Sequence, residues 1–556
     1  IRSNYIKDWP YKRRSNTKRF PSVKNAVRPF FTMILLFTLV SLVVFPLADS
    51  AKILIYDYKF QRSHVQFINT IADILVDEGH DVVMHTNVLD ANLRDVGSKR
   101  VRRFFTEQSP EALAIGFSRL GLNNWEARGF YDWLTTFGVR KYFDGMTGQC
   151  LAVLQDEKLI EQLREEKFDV ALTTPNDLCV YYIFHMAGIT NYAMLDSHST
   201  LLFPMWYTGA PDQYSTLPGR FAAYSEMTFF NRLKNFLTDS AIKLIPMIMF
   251  NDFFDKIEAT FEHAPDLYEL MANVSMVFIN RIPAIEFPSL TTHTIVDIGG
   301  LTIPKSNSSL DEHWDGIFSL RPRTVLISFG TIALSSDMPE RYKQSFLQAI
   351  KSFPDITFVW KYENPEHNIS ASVENLVEAS FIPQKQILQD PRLSLFITHC
   401  GWASTLETMM AGVPVIAIPT STDQHRNAQV LKRGGGGIVM DKKELESEDV
   451  IEKNIREILE NERYQKSARE IATIIKNSPY SGRENFFRNL NFLIKFGPLP
   501  SMRIPSHKQS FIEHNMLDVY AILSVVSFVI LFICYVILKY VMQFVVSFGV
   551  RKIKNE

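Results

Sequence analysis

The sequence predicts an α/β protein: two doubly wound, parallel-sheet domains facing a cleft, followed by one apolar helix that spans a membrane. Three observations predict it. The 556 residues exceed what a single hydrophobic core organises. Short apolar runs alternate with longer helical patterns, and the alternation starts twice, which is the βαβ rhythm of a parallel sheet. Near the C-terminus, residues 519–538 carry no charge and supply the roughly 20 apolar residues a bilayer demands.

The elements follow in order. Residues 52–58 (KILIYDY) read as a buried strand. Residues 64–78 then place Val65, Ile68, Ile71, Ala72, Leu75 and Val76 at helical spacing and stop at Gly79. Residues 81–86 and 168–174 are further strands. The pattern restarts with strand candidates at 324–328, 357–360, 393–397 and 415–418, separated by helical stretches. The break falls near 285–300, giving domains of 52–285 and 286–500. Residues 200–265, rich in aromatics and Met, read as helices or loops flanking the cleft.

Composition narrows the function classes. Hydrophobic residues make up 46% and charged residues 21%, a globular balance with membrane segments added. With 59 Lys plus Arg against 60 Asp plus Glu there is no electrostatic reason to expect nucleic acid as a partner. The four cysteines, Cys150, Cys179, Cys400 and Cys534, make no C-x-x-C pair. No structural disulfide is expected, with one pair among the first three left open.

The two ends read as addresses. A basic stretch (Lys12, Arg13, Arg14, Lys18, Arg19, Lys24, Arg28), an apolar run over 29–45 and the small residues Ala48, Ser50 and Ala51 make a secretory signal peptide within 1–51. The other reading of that run is a first transmembrane helix, and Met33 is the expected natural start. Lys539, Arg551, Lys552 and Lys554 follow the C-terminal apolar segment, so the positive-inside rule puts the tail, 539–556, in the cytosol and the bulk of the chain on the lumenal side. Lysines at the third and fifth positions from the end form a K-x-K-x-x address for return to the endoplasmic reticulum. The sequons at Asn273, Asn307 and Asn368 fit a lumenal chain.

Chemistry concentrates between Phe381 and Gln424: Phe381-Ile-Pro-Gln384, Phe396-Ile-Thr-His-Cys-Gly-Trp402, Ser404-Thr-Leu-Glu407, Gly412-Val-Pro-Val415 and Asp423-Gln424. A strand ends at Thr398, a glycine-containing turn follows and a helix opens near Ser404. Free backbone N–H groups and the positive helix end attract phosphate there, with His399 beside them. Ligands of such folds sit at the carboxyl ends of the strands.

This block resembles the signature of the UDP-glycosyltransferases, the family that includes the animal glucuronosyltransferases, and the resemblance runs from about Ala51 to the tail. It implies the GT-B fold, with a UDP-sugar bound as co-substrate mainly by 286–500 and an acceptor bound by 52–285. It further implies that Gln384 contacts uridine and that His399 binds diphosphate with the Gly401-Trp402 turn and Ser404. Glu407 takes the ribose hydroxyls, Asp423 and Gln424 hold the sugar, and Ser328 and Thr331 lie near the phosphates. Phe381 stands where the family has Trp stacked on uracil, a smaller face. The implied base is His64, which removes the acceptor's hydroxyl proton while UDP leaves with inversion; an imidazole suits that task. Its usual acidic partner is missing, because the matching position is Thr174; Asp177, three residues on, is the substitute considered. No Asp-x-Asp motif occurs, so neither a metal nor a further cofactor is invoked.

The expected activity is transfer of glucuronate or glucose to a small lipophilic acceptor at the endoplasmic reticulum membrane, in the manner of detoxifying enzymes. Two alternatives stand beside it: a transferase for a sphingolipid-type membrane lipid, and, because of Thr174, a protein that binds UDP-sugar without turnover. The sequence leaves the donor, the acceptor and the oligomeric state open, homo-oligomers included.

Overall fold

The computed structural model describes residues 50–115, 125, 139–200, 213–261, 263–303, 309–505 and 509–554. The basic stretch and the apolar run read as a signal peptide lie outside the described residues, as does Asn307. The architecture below belongs to the compact unit Ala51–Glu556.

The first sheet is built from β1 (Lys52–Lys59), β2 (Asp81–Val88), β3 (Arg102–Thr106), β4 (Val170–Thr173), β5 (Tyr192–Asp196), β6 (Val277–Ile279) and β7 (Ile295–Asp297). Its order is β3-β2-β1-β4-β5-β6-β7 and every pairing is parallel. Seven of the eight residues of β1 are buried, which explains its near-continuous apolar run: both faces of a parallel sheet are covered. On one face lies α1 (Arg62–Asp77), burying Val65, Ile68, Ile71, Ala72 and Leu75 and ending before Gly79, whose φ of +90° takes the left-handed turn. On the other lie α2 (Val139–Leu154) and α3 (Cys179–Met186), packed around Leu54, Tyr56 and Ala171. A disulfide joins Cys150 of α2 to Cys179 of α3, correcting the expectation of none. The pairing was hidden because nothing in the spacing shows that two helices 29 residues apart pack side by side. Residues 229–260 form one long helix, α4 (Phe229–Thr260).

The second sheet contains β8 (Arg323–Ser328), β9 (Ile356–Lys361), β10 (Leu376–Ala379), β11 (Leu393–Thr398), β12 (Val415–Ala417) and β13 (Gly437–Val439) in the order β10-β9-β8-β11-β12-β13. It is also wholly parallel. The helices that matter for the site are α5 (Gln384–Gln389), α6 (Trp402–Ala411) and α7 (Gln424–Arg433), each leaving the carboxyl side of this sheet.

Two boundaries differ from the sequence reading. The break at 285/286 falls inside the first domain, since β7 hydrogen-bonds to β6. The segment 286–500 does not stay in one domain either: α8 (Gly482–Phe496) crosses back and buries Phe486, Leu490 and Leu493 against Ile53, Ile55 and Phe278 of the first sheet. Its apolar stripe needs a partner, and the first sheet supplies one. The last helix, α9 (Leu517–Lys554), outruns 519–538. Its stretch Leu517–Ser547 is long and apolar enough to cross a membrane and has none of its most apolar window buried.

Candidate active site

The candidate site of the second domain lies at the carboxyl end of β11. After Thr398 the chain turns through His399, Cys400 and Gly401, and α6 opens at Trp402. Cys400 holds a φ of +64°, a left-handed conformation that a non-glycine residue adopts only where its surroundings enforce it. The turn fits tightly around an imidazole. A Cβ on Gly401 would lie 2.6 Å from His399 Nε2, and one on Gly330, in the turn after β8, would lie 2.6 Å from the same ring. His399 is thus wedged between the two turns that carry Ser328 and Gly401. Burial pushes it down to about 4, so it is neutral and can donate one ring N–H. Its Nδ1 and the Ser328 hydroxyl are buried without hydrogen-bond partners, while Thr331 is exposed. The Lys361 ammonium, at the end of β9, donates to the Gly330 carbonyl at 2.9 Å and to Glu363 at 2.7 Å and adds a positive charge to this corner.

One turn along α6 the side chains converge as the motif requires. Gln384 Nε2 donates to Ser404 Oγ at 3.0 Å and to Glu407 Oε2 at 2.7 Å, and the Lys385 ammonium stands 4.0 Å from Glu407 Oε1. Burial pushes the Glu407 carboxyl up, against the pull of Lys385 and Gln384. Phe381 leaves 66% of its surface exposed, an open ring face beside this cluster's helix α5. The Trp402 side chain has a different duty: its indole donates to the Asn280 carbonyl at 2.5 Å and packs with Ile282, Ile285 and Phe287, so only its backbone belongs to the site.

Asp423 and Gln424 sit at the start of α7. Gln424 Oε1 accepts from the N–H of Thr420 (2.8 Å) and of Ser421 (3.1 Å), so its amide N–H₂ is the end left for a ligand. Asp423 accepts from Asn427 Nδ2 at 2.8 Å and lies 3.9 Å from the Arg220 guanidinium. Burial opposes ionisation, but Arg220 and His198 overcome it and hold Asp423 down at about 2. Its negative charge acts on both His399 and His64. The carboxylate is thus within electrostatic reach of His399 in its own domain and of His64 in the opposite one.

That domain presents His64 in the first turn of α1, just past the carboxyl end of β1. Burial and the neighbouring His198 push His64 down to about 3. Its Nδ1 shares a hydrogen bond with Ser197 Oγ at 2.7 Å. The substitution by Asp177 is corrected here. The Asp177 carboxylate is taken by the Tyr56 hydroxyl, by Asn87 Nδ2 at 3.3 Å and by the Cys179 N–H at 2.8 Å, in the core beneath the sheet end. Two residues ahead of α3, Asp177 accepts from that helix's first N–H and is buried instead of being aimed at His64. The Thr174 hydroxyl is itself buried without a partner.

The sequence reading passed over the groups that actually surround His64. Ser197 and His198 follow β5, two strands from β1, and the His198 ring centroid lies 4.8 Å from that of His64. Arg220 and Lys361 were missed as well. An Asp-Ser-His run at a strand's carboxyl end was the available signal for His198. Of the sequons, Asn368 is exposed, and the Asn273 side-chain oxygen accepts from Arg503.

The chain is similar to known proteins over nearly its whole length. The family model described as UDP-glucoronosyl and UDP-glucosyl transferase matches residues 51–552. The chain is 28% identical over 496 residues to the Caenorhabditis elegans protein ugt-50, covering 86% of this chain and 93% of that one. It is 22% identical over 480 residues to human UDP-glucuronosyltransferase 1A6, covering 85% and 88%. Among solved structures, UGT2 of Phytolacca americana, complexed with UDP-2fluoro-glucose and pterostilbene, superposes with a TM-score of 0.54 at 15% identity, over 80% of this chain and 100% of that one. Two parallel-sheet domains, a donor signature in order and a family match along nearly the whole length lead to one assignment: the chain belongs to the UDP-glucuronosyl and UDP-glucosyl transferase family, enzymes of the GT-B fold that transfer a sugar from a UDP-sugar.

Proposed function

We propose that the protein transfers glucuronate or glucose from its UDP conjugate to a hydroxyl of a small lipophilic acceptor, with inversion at the anomeric carbon. The observation that carries this reading is the convergence of Gln384, Ser404 and Glu407 on one side of the α6 turn with His399 wedged on the other. A carboxylate suits two adjacent ribose hydroxyls, and the Phe381 face suits a uracil. His399, the N–H groups opening α6 and the Lys361 charge are placed for a diphosphate, where they stabilise the negative charge that grows as UDP departs. Asp423 and the Gln424 amide are the groups for the sugar. An imidazole of the first domain, His64 by position, takes the acceptor proton as the oxygen attacks from the face opposite UDP.

The names of the relatives favour glucuronate as the donor, and the phenolic ligand of the Phytolacca americana structure favours an aromatic acceptor. We place the two sheets in the lumen of the endoplasmic reticulum, tethered by α9. The Cys150–Cys179 disulfide suits an oxidising compartment, and the exposed Asn368 sequon and the lysine-bearing tail agree with it. The test is UDP release from microsomes bearing the protein, with UDP-glucuronate and UDP-glucose in parallel, against phenols, steroids and ceramide. Acceptor-dependent release with a phenol or steroid is expected. Release with ceramide alone would move the acceptor to membrane lipids, and UDP binding without release would leave a non-catalytic binder.

A further inference from the structure

The first domain holds a second imidazole that is better equipped for proton transfer than His64. Asp196 is the last residue of β5, and its Oδ1 accepts from the His198 N–H at 3.0 Å and lies 2.9 Å from His198 Nδ1. Asp196 is fully buried, and its Oδ2 has no hydrogen-bond partner, so His198 is the only group that answers this carboxylate by a hydrogen bond among the described residues. A carboxylate on Nδ1 fixes the tautomer and leaves Nε2 as the nitrogen that accepts a proton. His64 has only the Ser197 hydroxyl on its Nδ1. A hydroxyl orients an imidazole but does not balance the charge of an imidazolium.

The charges around the pair point the same way. His198 is held by Asp196 at the end of β5 and interacts with the Asp423 charge at the start of α7, with the His64 ring beside it; the Arg220 guanidinium stands 3.9 Å from Asp423 and acts on Asp423 and His64. Arg426, one turn into α7, reaches Ser199 Oγ at 3.4 Å and the Pro218 carbonyl at 3.0 Å. The segment bearing His198 is thereby tied to the helix whose first residues hold the sugar.

We propose that His198, held by Asp196, is the catalytic base of this chain, and that His64 orients the acceptor beside it. The inference rests on the sugar-transfer reading above and replaces its base. In the step, the acceptor O–H proton passes to His198 Nε2 and the oxygen's electron pair forms the bond to the anomeric carbon. The bond from that carbon to the β-phosphate oxygen breaks, and its pair leaves with UDP. The imidazolium is balanced by Asp196 and Asp423 and loses its proton to solvent as product leaves. The carboxylate missing at Thr174 has in effect moved from the end of β4 to the end of β5 and brought its own imidazole.

The test uses the full chain in microsomes or detergent, with the donor and acceptor that give UDP release. His198→Gln is expected to lower kcat by roughly 10²–10³-fold with KM for the UDP-sugar within about twofold. His64→Gln is expected to lose at least tenfold less. Asp196→Asn is expected to lower kcat at least tenfold with KM for the UDP-sugar within about twofold, because His198 loses the carboxylate that orients it. Loss of a merely structural contact would lower the melting temperature or raise KM and leave kcat in place. UDP binding and melting temperature show that each variant is folded, and His198→Asn serves if His198→Gln is not. Retention of kcat within twofold in the His198 variants, or in Asp196→Asn, overturns the proposal. A His64→Gln enzyme that is dead while His198→Gln works does so too and returns the base to His64. A wild type that releases no UDP with any acceptor removes the proposed function and this base together.

Discussion

A buried ion pair crosses between the two domains beside the site, and breaking it has a calculable outcome. Arg426 Nη2 lies 2.9 Å from Glu286 Oε1, and the two side chains are 1% and 2% exposed. The guanidinium also donates to the Pro218 carbonyl and stacks 5.1 Å from the centre of the Phe287 ring. Arg426→Met keeps most of the apolar volume but strands the Glu286 carboxylate, whose Oε2 already lacks a partner. Removing one member of such a pair costs about 3–5 kcal/mol, because the remaining charge stays buried. At roughly 2 °C per kcal/mol for domains of this size, the melting temperature falls by about 6–10 °C. The assay is thermal unfolding of the detergent-solubilised protein, followed by intrinsic tryptophan fluorescence. Adding Glu286→Gln to Arg426→Met removes the stranded charge and is expected to recover about half of the loss. A drop of less than about 1 °C in Arg426→Met, or a double variant whose loss equals the sum of the two single losses, would refute this reasoning about the pair.

Three further outcomes follow from single sites. Cys150→Ser with Cys179→Ser opens the 29-residue separation that the disulfide closes and is expected to lose about 3–4 kcal/mol of stability on the chain-entropy account, with added reductant lowering the melting temperature of the wild type but not of the variant. Desolvation pushes the half-buried His64 and His399 down to about 3 and 4 and the buried His85 down to about 4; the unfolded chain therefore binds protons that the folded one refuses, stability is complete above about pH 6.5 and is lost as pH falls toward 4, and a melting temperature that stays flat from pH 7 to 4 would count against their staying neutral in the fold. Phe381→Trp enlarges the exposed stacking face and is expected to lower KM for the UDP-sugar two- to threefold, whereas Phe381→Ala gives up roughly 1 kcal/mol, about a fivefold rise; equal KM values in all three proteins would take uracil away from this ring.

What was legible in the sequence had contiguous physical causes. Parallel strands buried on both faces read as apolar runs, so β1, β2, β4, β8, β9, β11 and β12 were visible. The candidate donor site was visible because a strand, a turn and a helix deliver His399, Ser404 and Glu407 within nine residues of chain. What was not legible depended on which elements become neighbours. Ser197 meets His64 across 133 residues because β5 lies two strands from β1, and no spacing reveals that order. Asp177 looked available because it follows Thr174 closely, yet it is buried in the core, where it accepts from the Tyr56 hydroxyl and from the first N–H of α3. The return of α8 to the first sheet was equally hidden, since an amphipathic helix announces its apolar face but not the surface that will cover it.

Calorimetric titration of the solubilised protein with UDP asks whether the turn between β11 and α6 takes a uridine diphosphate. Glu407→Ala removes the carboxylate proposed to take the ribose hydroxyls, where hydrogen bonds to a charged group contribute about 1.5–3 kcal/mol. The account predicts saturable binding of UDP by the wild type and at least tenfold weaker binding by Glu407→Ala. A wild type that does not bind UDP, or a Glu407→Ala protein that binds it as tightly as the wild type, would contradict it.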